Sequence, residues 1–202
     1  MNDAPMIHLL GISGSLRAAS FNTALLRAAG ALAPAGTSFS LADISDLPFY
    51  DGDVEATGDP PPVERLKVQI RAADALLIAT PEYNGSISGI LHTALDWASR
   101  PHADSVLRGK PVAIVSASPG GFGGVRAQET LRRILTATRA DVLAEPVLAL
   151  GRAGERIGAT GDLVNEPDRA LVNAPDRALL AALVADLVAH VRTRQTVDRV
   201  AA

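Results

Sequence analysis

The sequence predicts a doubly wound α/β sandwich, a parallel sheet with helices on both faces. Five short apolar runs recur along the chain, and apolar stripes at helical spacing lie between them. A third feature indicates where such a sheet would work: the segments leaving the first, third and fourth runs are rich in Ser, Gly, Asn and Pro. In an open parallel sheet, ligands bind beyond the carboxyl ends of the strands, where the connections diverge to opposite faces.

The strands are expected at residues 6–12 (MIHLLGI), 37–43 (TSFSLAD), 74–80 (DALLIAT), 111–117 (PVAIVSA) and 142–150 (VLAEPVLAL). Most are apolar on both faces, as strands covered on both sides must be. Pro146 in the fifth run has no N–H for a ladder and fits only an edge or a bulge. Phe21, Leu25, Ala28 and Leu32 mark the first helix, and Val63, Leu66, Ile70 and Ala73 a second. Leu91, Ala94, Leu95 and Ala98 mark a third, and Ala127, Leu131, Ile134, Leu135 and Thr138 a fourth. Leu180, Leu183, Val184, Leu187 and Val191 form the stripe of a long C-terminal helix. The crossovers are expected to be right-handed. Residues 43–62, DISDLPFYDGDVEATGDPPP, read as a long surface loop. Residues 163–178, LVNEPDRALVNAPDRA, are an eight-residue tandem duplication. It reads as a lengthened loop with no chemistry assigned, because solenoid units are longer and more numerous.

Composition bounds the function. The 202 residues are enough for one well-cored domain, and the chain is read as a single domain over 1–202. With 19 basic and 22 acidic side chains the net charge is −3, so no basic excess exists to neutralise a nucleic-acid backbone. The absence of cysteine excludes disulfides, thiolate nucleophiles and zinc–thiolate sites. The first basic residue is Arg17, so no positive segment precedes the first apolar run as a signal peptide requires. No apolar stretch reaches the ~18 residues of a membrane span, and a cytoplasmic location with no membrane partner is expected.

The loop after the first strand, GISGSLRAASFN at 11–22, contains no acidic residue and precedes a helix N-terminus. Free N–H groups and the helix dipole favour negative charge there. Ser13, Ser15 and Ser20 supply hydroxyls, Asn22 an amide, and Arg17 a planar fork matched to phosphate oxygens. No Lys-Ser or Lys-Thr pair follows the glycines as in a Walker loop, and the dinucleotide fingerprint G-x-G-x-x-G is absent. Helix capping explains Ser20 alone and leaves Arg17 and the other serines unused. Four charge-assisted bonds at roughly 1.5–3 kcal/mol each give a gross sum comparable to binding at about −8 to −12 kcal/mol, before entropy costs.

The loop after the third strand, PEYNGS at 81–86, combines turn formers with Tyr83, one of only two tyrosines. Tyr83 offers a flat face to a ring system, and backbone groups of Glu82, Asn84 and Gly85 could read a heterocycle's edge. After the fourth strand comes SPGGFGG at 118–124, whose glycines, Gly120 and Gly121 among them, allow close backbone approach or positive φ. A phosphate site at one loop and ring sites at the other two suit flavin mononucleotide (FMN).

GSLRAASFN at 14–22, PEYNGSISGILHTALDW at 81–97 and SPGGFGG at 118–124 together resemble the NADPH-dependent FMN reductase family, in particular its quinone and chromate reductase branch. The similarity runs in order over about residues 6–150. The resemblance implies a flavodoxin-like fold with strand order 2-1-3-4-5, tightly bound FMN, and a homodimer or homotetramer as working form. It places Ser15, Leu16, Arg17, Ser20, Phe21 and Asn22 at the FMN phosphate and ribityl chain. Pro81, Glu82, Tyr83, Asn84 and Gly85 would line the isoalloxazine, with Ser118, Gly120 and Gly121 contacting it from the fourth strand's loop. Two departures from the family pattern stand out: Ser88 and His92 occupy positions where members often carry Pro and Lys, and the tandem repeat enlarges a region usually shorter.

The resemblance also implies an enzyme passing electrons from NADPH or NADH through FMN to a small-molecule acceptor such as a quinone, flavin, azo compound or chromate. Such ping-pong chemistry belongs to the cofactor and requires no catalytic side chain. The alternative is a flavodoxin-type electron carrier, or a flavin-binding interaction module without turnover. Carriers tend to be strongly acidic, which a net charge of −3 does not favour. His8 reads as a core or edge residue, His102 as exposed and His190 as part of the last helix; only His92 lies near the expected cleft. No histidine shows metal-ligand spacing, so no metal is expected. Asp96 and Trp97 fit helix packing, and Trp97 could also meet a partner subunit. Arg100 and Arg126 are candidates for a nicotinamide dinucleotide's 2′-phosphate.

Overall fold

The computed structural model describes residues 6–157 and 174–201. The elements follow in the order β1 (Ile7–Ser13), α1 (Phe21–Ala31), β2 (Thr37–Ala42), α2 (Gly52–Glu55), α3 (Pro61–Ala72), β3 (Ala75–Ala79) and α4 (Gly89–Ala98). A 3-10 turn at His102–Asp104 leads to β4 (Pro111–Ala117), α5 (Val125–Ala137), β5 (Asp141–Val142), β6 (Leu148–Leu150), α6 (Ala153–Arg156) and α7 (Ala174–Ala201). All pairings are parallel and the sheet order is β2-β1-β3-β4-β5, with β6 also on β4. The expected flavodoxin-like order is therefore present.

Because side chains alternate along a strand, each strand feeds two cores. Leu9, Leu77 and Val115 face α1 and α7, where Leu25, Leu26, Leu183 and Leu187 close one layer. Leu10, Ile12, Leu76, Ile78 and Ile114 face α3, α4 and α5, meeting Leu66, Ile70, Leu91, Leu95 and Leu131. The chain thus leaves β1 toward one face and β3 toward the other, which opens a crevice at the carboxyl ends of these two strands. On the first face the ring of Phe39 is slotted between Gly11 of β1 and Gly30 of α1; a Cβ on either glycine would lie 2.6 Å from it.

The structure corrects three sequence expectations here. The fifth strand is not continuous over 142–150: β5 and β6 are two short pieces, and Pro146 interrupts the ladder between them. Residues 43–62 are not all loop. Ile44 and Leu47 enter the core, Asp51 caps the short α2, and Pro61 and Pro62 begin α3, where a missing N–H costs nothing. Trp97 is fully buried, with Nε1 donating to Pro48 O (2.9 Å) and its ring edge-on to Tyr50, so it is not a surface for a partner. The tandem repeat lies outside the described residues up to 173, and its last five residues open α7. No helix among the described residues is long and apolar enough to cross a membrane.

Candidate functional site

The three polar loops meet at one sheet edge because β1, β3 and β4 run parallel as neighbours. Specific bonds fix their mutual position. Gly14 N donates to Ala79 O (2.8 Å), and the Ser88 hydroxyl, which also caps α4, donates to Gly14 O (2.6 Å). Thr80 N donates to Val115 O (3.1 Å). Gln128, buried in α5, donates to Ser116 Oγ (2.7 Å) and Leu148 O (2.8 Å), tying that helix to β4 and β6.

The first loop is a cradle of donors. Among the described residues no acceptor lies in hydrogen-bond geometry for the backbone N–H groups of Leu16 through Asn22. The Arg17 side chain is exposed and has no hydrogen bond or ion pair among the described residues, and the Ser15 hydroxyl has no partner there either. Ser20 caps α1, accepting from Thr23 N at 3.2 Å, which leaves its hydroxyl proton for another acceptor. Phe21 is half-buried against the α1/α7 layer. A donor set of this kind with no acid in residues 11–22 fits a phosphate group.

Two expected ligands in this loop are otherwise employed. The buried Asn22 amide donates to Ala117 O (3.0 Å) and accepts from Ala117 N (2.9 Å), clamping α1 to the end of β4. Its side chain is a structural bridge. The Ser13 hydroxyl lies 2.8 Å from Thr23 Oγ1 and 3.3 Å from Ser15 N, so it holds the loop's shape.

In the second loop, Pro81 is buried and Tyr83 and Ser86 exchange two backbone hydrogen bonds of 3.0 Å around Asn84 (φ 53°) and Gly85 (φ 74°). This is the tight Asn-Gly hairpin turn, in which both central residues take positive φ. It leaves the Tyr83 side chain 50% exposed. The Glu82 carboxylate does not point at a ring site: Oε2 accepts from the first-turn N–H groups of α5, Arg126 N at 3.1 Å and Ala127 N at 3.4 Å. Glu82 therefore couples the second loop to the third.

The third loop uses its glycines mostly on the chain itself. Gly123 (φ +64°) lies so close to β6 that a Cβ would sit 2.5 Å from Ala149 O, and Gly124 (φ +93°) starts α5. Gly120 O accepts from Arg152 N (2.9 Å), and the Ser118 hydroxyl accepts from Gly120 N (3.2 Å). Gly121 faces open space, and Phe122 is 70% exposed. Leu16, Tyr83 and Phe122, one from each of the three loops, are exposed.

Sequence reasoning passed over Gln128, Thr23 and the capping role of Ser88. Only Ser88 carries a local signal, a serine immediately before a helical stripe. Among the histidines, His8 is half-buried with Nε2 2.8 Å from Ser40 Oγ, and His102 is exposed. His92 is exposed and bonds Asp96 on its own helix (3.1 Å). Arg100 lies over Tyr50 and bonds Ser99.

Residues 7–155 match the family model described as NADPH-dependent FMN reductase. The chain belongs to the NADPH-dependent FMN reductase family. It is 50% identical over 165 residues to an NAD(P)H-dependent FMN reductase of Pseudomonas aeruginosa, covering 82% of this chain and 89% of that one. It is 44% identical over 159 residues to a 2-hydroxy-1,4-benzoquinone reductase from a Burkholderia species, covering 78% and 86%. Among solved structures, the flavoenzyme NAD(P)H:(acceptor) oxidoreductase FerB from Paracoccus denitrificans superposes with a TM-score of 0.81 at 32% identity, covering 93% of this chain and 98% of that one. As a member of the FMN reductase family the chain is an oxidoreductase with FMN as cofactor.

Proposed function

We propose that this FMN reductase binds FMN with its phosphate in the Ser15–Asn22 cradle and its ring between the Pro81–Gly85 turn and the Ser118–Gly121 segment, and reduces quinones with NAD(P)H. The donor-only cradle carries the reading. N–H groups from Leu16 to Asn22, the Ser15 hydroxyl and Arg17, all without partners among the described residues, lie in one loop that contains no acid. When bound, FMN supplies the two-electron chemistry between nicotinamide and acceptor.

The chain's own residues bind and orient. Arg17 and the N–H groups hold the phosphate, and the Asn22 clamp keeps the cradle in register with β4. Tyr83 presents an exposed ring, and the N–H groups of the Asn84–Gly85 turn lie at the edge where a heterocycle's carbonyl would accept. Exposed Leu16, Tyr83 and Phe122 suit small planar acceptors. The 44% identity to a benzoquinone reductase supports a quinone. We further propose a single functional domain, a cytoplasmic location, and a homodimer or homotetramer. Exposed Phe49 supports the last of these as apolar surface that a second copy would cover.

The test is direct. Purified protein reconstituted with FMN is expected to be yellow and to oxidise NADPH rapidly only when a benzoquinone is supplied. Yellow protein that leaves NADPH untouched under those conditions would contradict the reductase reading.

A further inference from the structure

We infer that Arg126 anchors a phosphate group of the reductant dinucleotide at the mouth of the cleft. This rests on the functional reading above and names a residue for the step which that reading leaves open, the capture of NAD(P)H.

Arg126 is the second residue of α5, and its guanidinium is held between the second and third loops. Its Cδ lies 3.8 Å from the place a Cβ on Gly85 would take, and its guanidinium carbon lies 5.3 Å from the Phe122 ring centroid. The cation therefore lies beside Gly85 and Phe122. Its Nη1 forms an ion pair with Glu82 Oε1 at 3.6 Å, longer than a hydrogen bond. Glu82 Oε2 is already taken by the N–H groups of Arg126 and Ala127, and the Glu82 side chain is only 15% exposed against 60% for Arg126. The guanidinium donors thus face solvent, with Glu82 behind them fixing the side chain's base.

Stability accounts for little of this placement: the half-exposed pair with Glu82 contributes about 0–1 kcal/mol. A cation in a helix's first turn opposes the macrodipole, and an exposed arginine over a phenylalanine ring contributes only about 0.5–1 kcal/mol. Three arginines are committed to the fold: Arg132 donates to Leu143 O, Arg156 to Asp176 and Arg194 to Asp141 and Gly109 O. Arg17, on the first loop, is assigned above to the cofactor phosphate. Arg126 projects from the β4 side of the crevice, where a dinucleotide laying its nicotinamide over the ring would carry its phosphates outward. A guanidinium fork matches phosphate oxygens bidentately. The diphosphate is common to NADH and NADPH, whereas the 2′-phosphate belongs to NADPH alone, so comparing the two nucleotides distinguishes the sources.

FMN-loaded wild type, Arg126→Ala and Arg126→Lys are compared by steady-state kinetics with NADPH and NADH at saturating benzoquinone, with FMN affinity measured separately by fluorescence titration. The expected result for Arg126→Ala is at least a tenfold loss of kcat/KM for NADPH, carried by KM, with FMN affinity unchanged and partial recovery in Arg126→Lys. Loss with NADPH alone assigns the 2′-phosphate, and equal loss with both nucleotides assigns the diphosphate. Unchanged kcat/KM for both nucleotides, or a loss that tracks weakened FMN binding, overturns the inference while leaving the reductase reading standing. Wild-type protein that binds FMN but oxidises neither nucleotide overturns both.

Discussion

Arg17 shows how much a single side chain's surroundings decide. It is exposed, with no hydrogen bond or ion pair among the described residues, in a loop whose backbone donors from Leu16 to Asn22 also lack acceptors there. A charge-assisted bond contributes about 1.5–3 kcal/mol, so Arg17→Ala is expected to weaken FMN binding by about one to two orders of magnitude. Quenching of flavin fluorescence on titration measures this, and unchanged affinity would remove Arg17 from the site. Residues of the same chemical type fared differently. Asn22 at a helix start looks like an anion ligand in one dimension, but its amide pairs with Ala117, 95 positions away. Glu82 likewise reads as part of a ring-binding turn, yet its carboxylate caps α5, 44 residues on. Local patterns identify which residues can hydrogen-bond; they carry no information about partners brought in by the sheet.

Elements were more legible than their joints. Periodicity placed α1, α3, α4, α5 and α7 because burial on one side is a property of the segment itself. The break between β5 and β6 was only half visible, since Pro146 forbids a ladder bond without saying that β6 resumes on β4. The glycines of the third loop suggest close approach to a planar ligand or positive φ; Gly123 and Gly124 take positive φ, and Gly123 lies against β6. Gly123→Ala would place a Cβ against Ala149 O at positive φ, and a loss of about 1–3 kcal/mol is expected in urea unfolding. A midpoint equal to wild type would show that the loop shifts freely. The long α7 is pinned at its far half through Asp141, where His190 Nε2 lies 2.7 Å away and Arg194 also donates. Burial alone would raise the Asp141 carboxyl, but the hydrogen bonds and charges of His190 and Arg194 outweigh it and hold the pKa below 3.8. A depressed folded-state pKa stabilises the fold above the unfolded value, and that contribution disappears as pH falls through the folded one. Asp141→Asn is therefore expected to be less stable than wild type at neutral pH and to lose that difference below about pH 4. Identical urea midpoints at neutral pH would refute the pinning role.

At the scale of the whole molecule, function follows from the order in which strands are laid down. Placing β3 beside β1 sends α1 and α4 to opposite faces, and this divergence leaves the donor cradle and the Tyr83 turn facing a common crevice. The strand sequence and the family were readable because each depends on contiguous residues. The Asn22, Glu82 and Gln128 ties that hold the crevice in shape were not, because each joins segments far apart in the chain. The central claim is that the cradle binds phosphate, and riboflavin differs from FMN by that group alone. The decisive measurement is the affinity of the apoprotein for each, by fluorescence titration under one set of conditions. FMN is expected to bind about 100-fold more tightly or better, the equivalent of two charge-assisted bonds. Equal affinities would contradict the account.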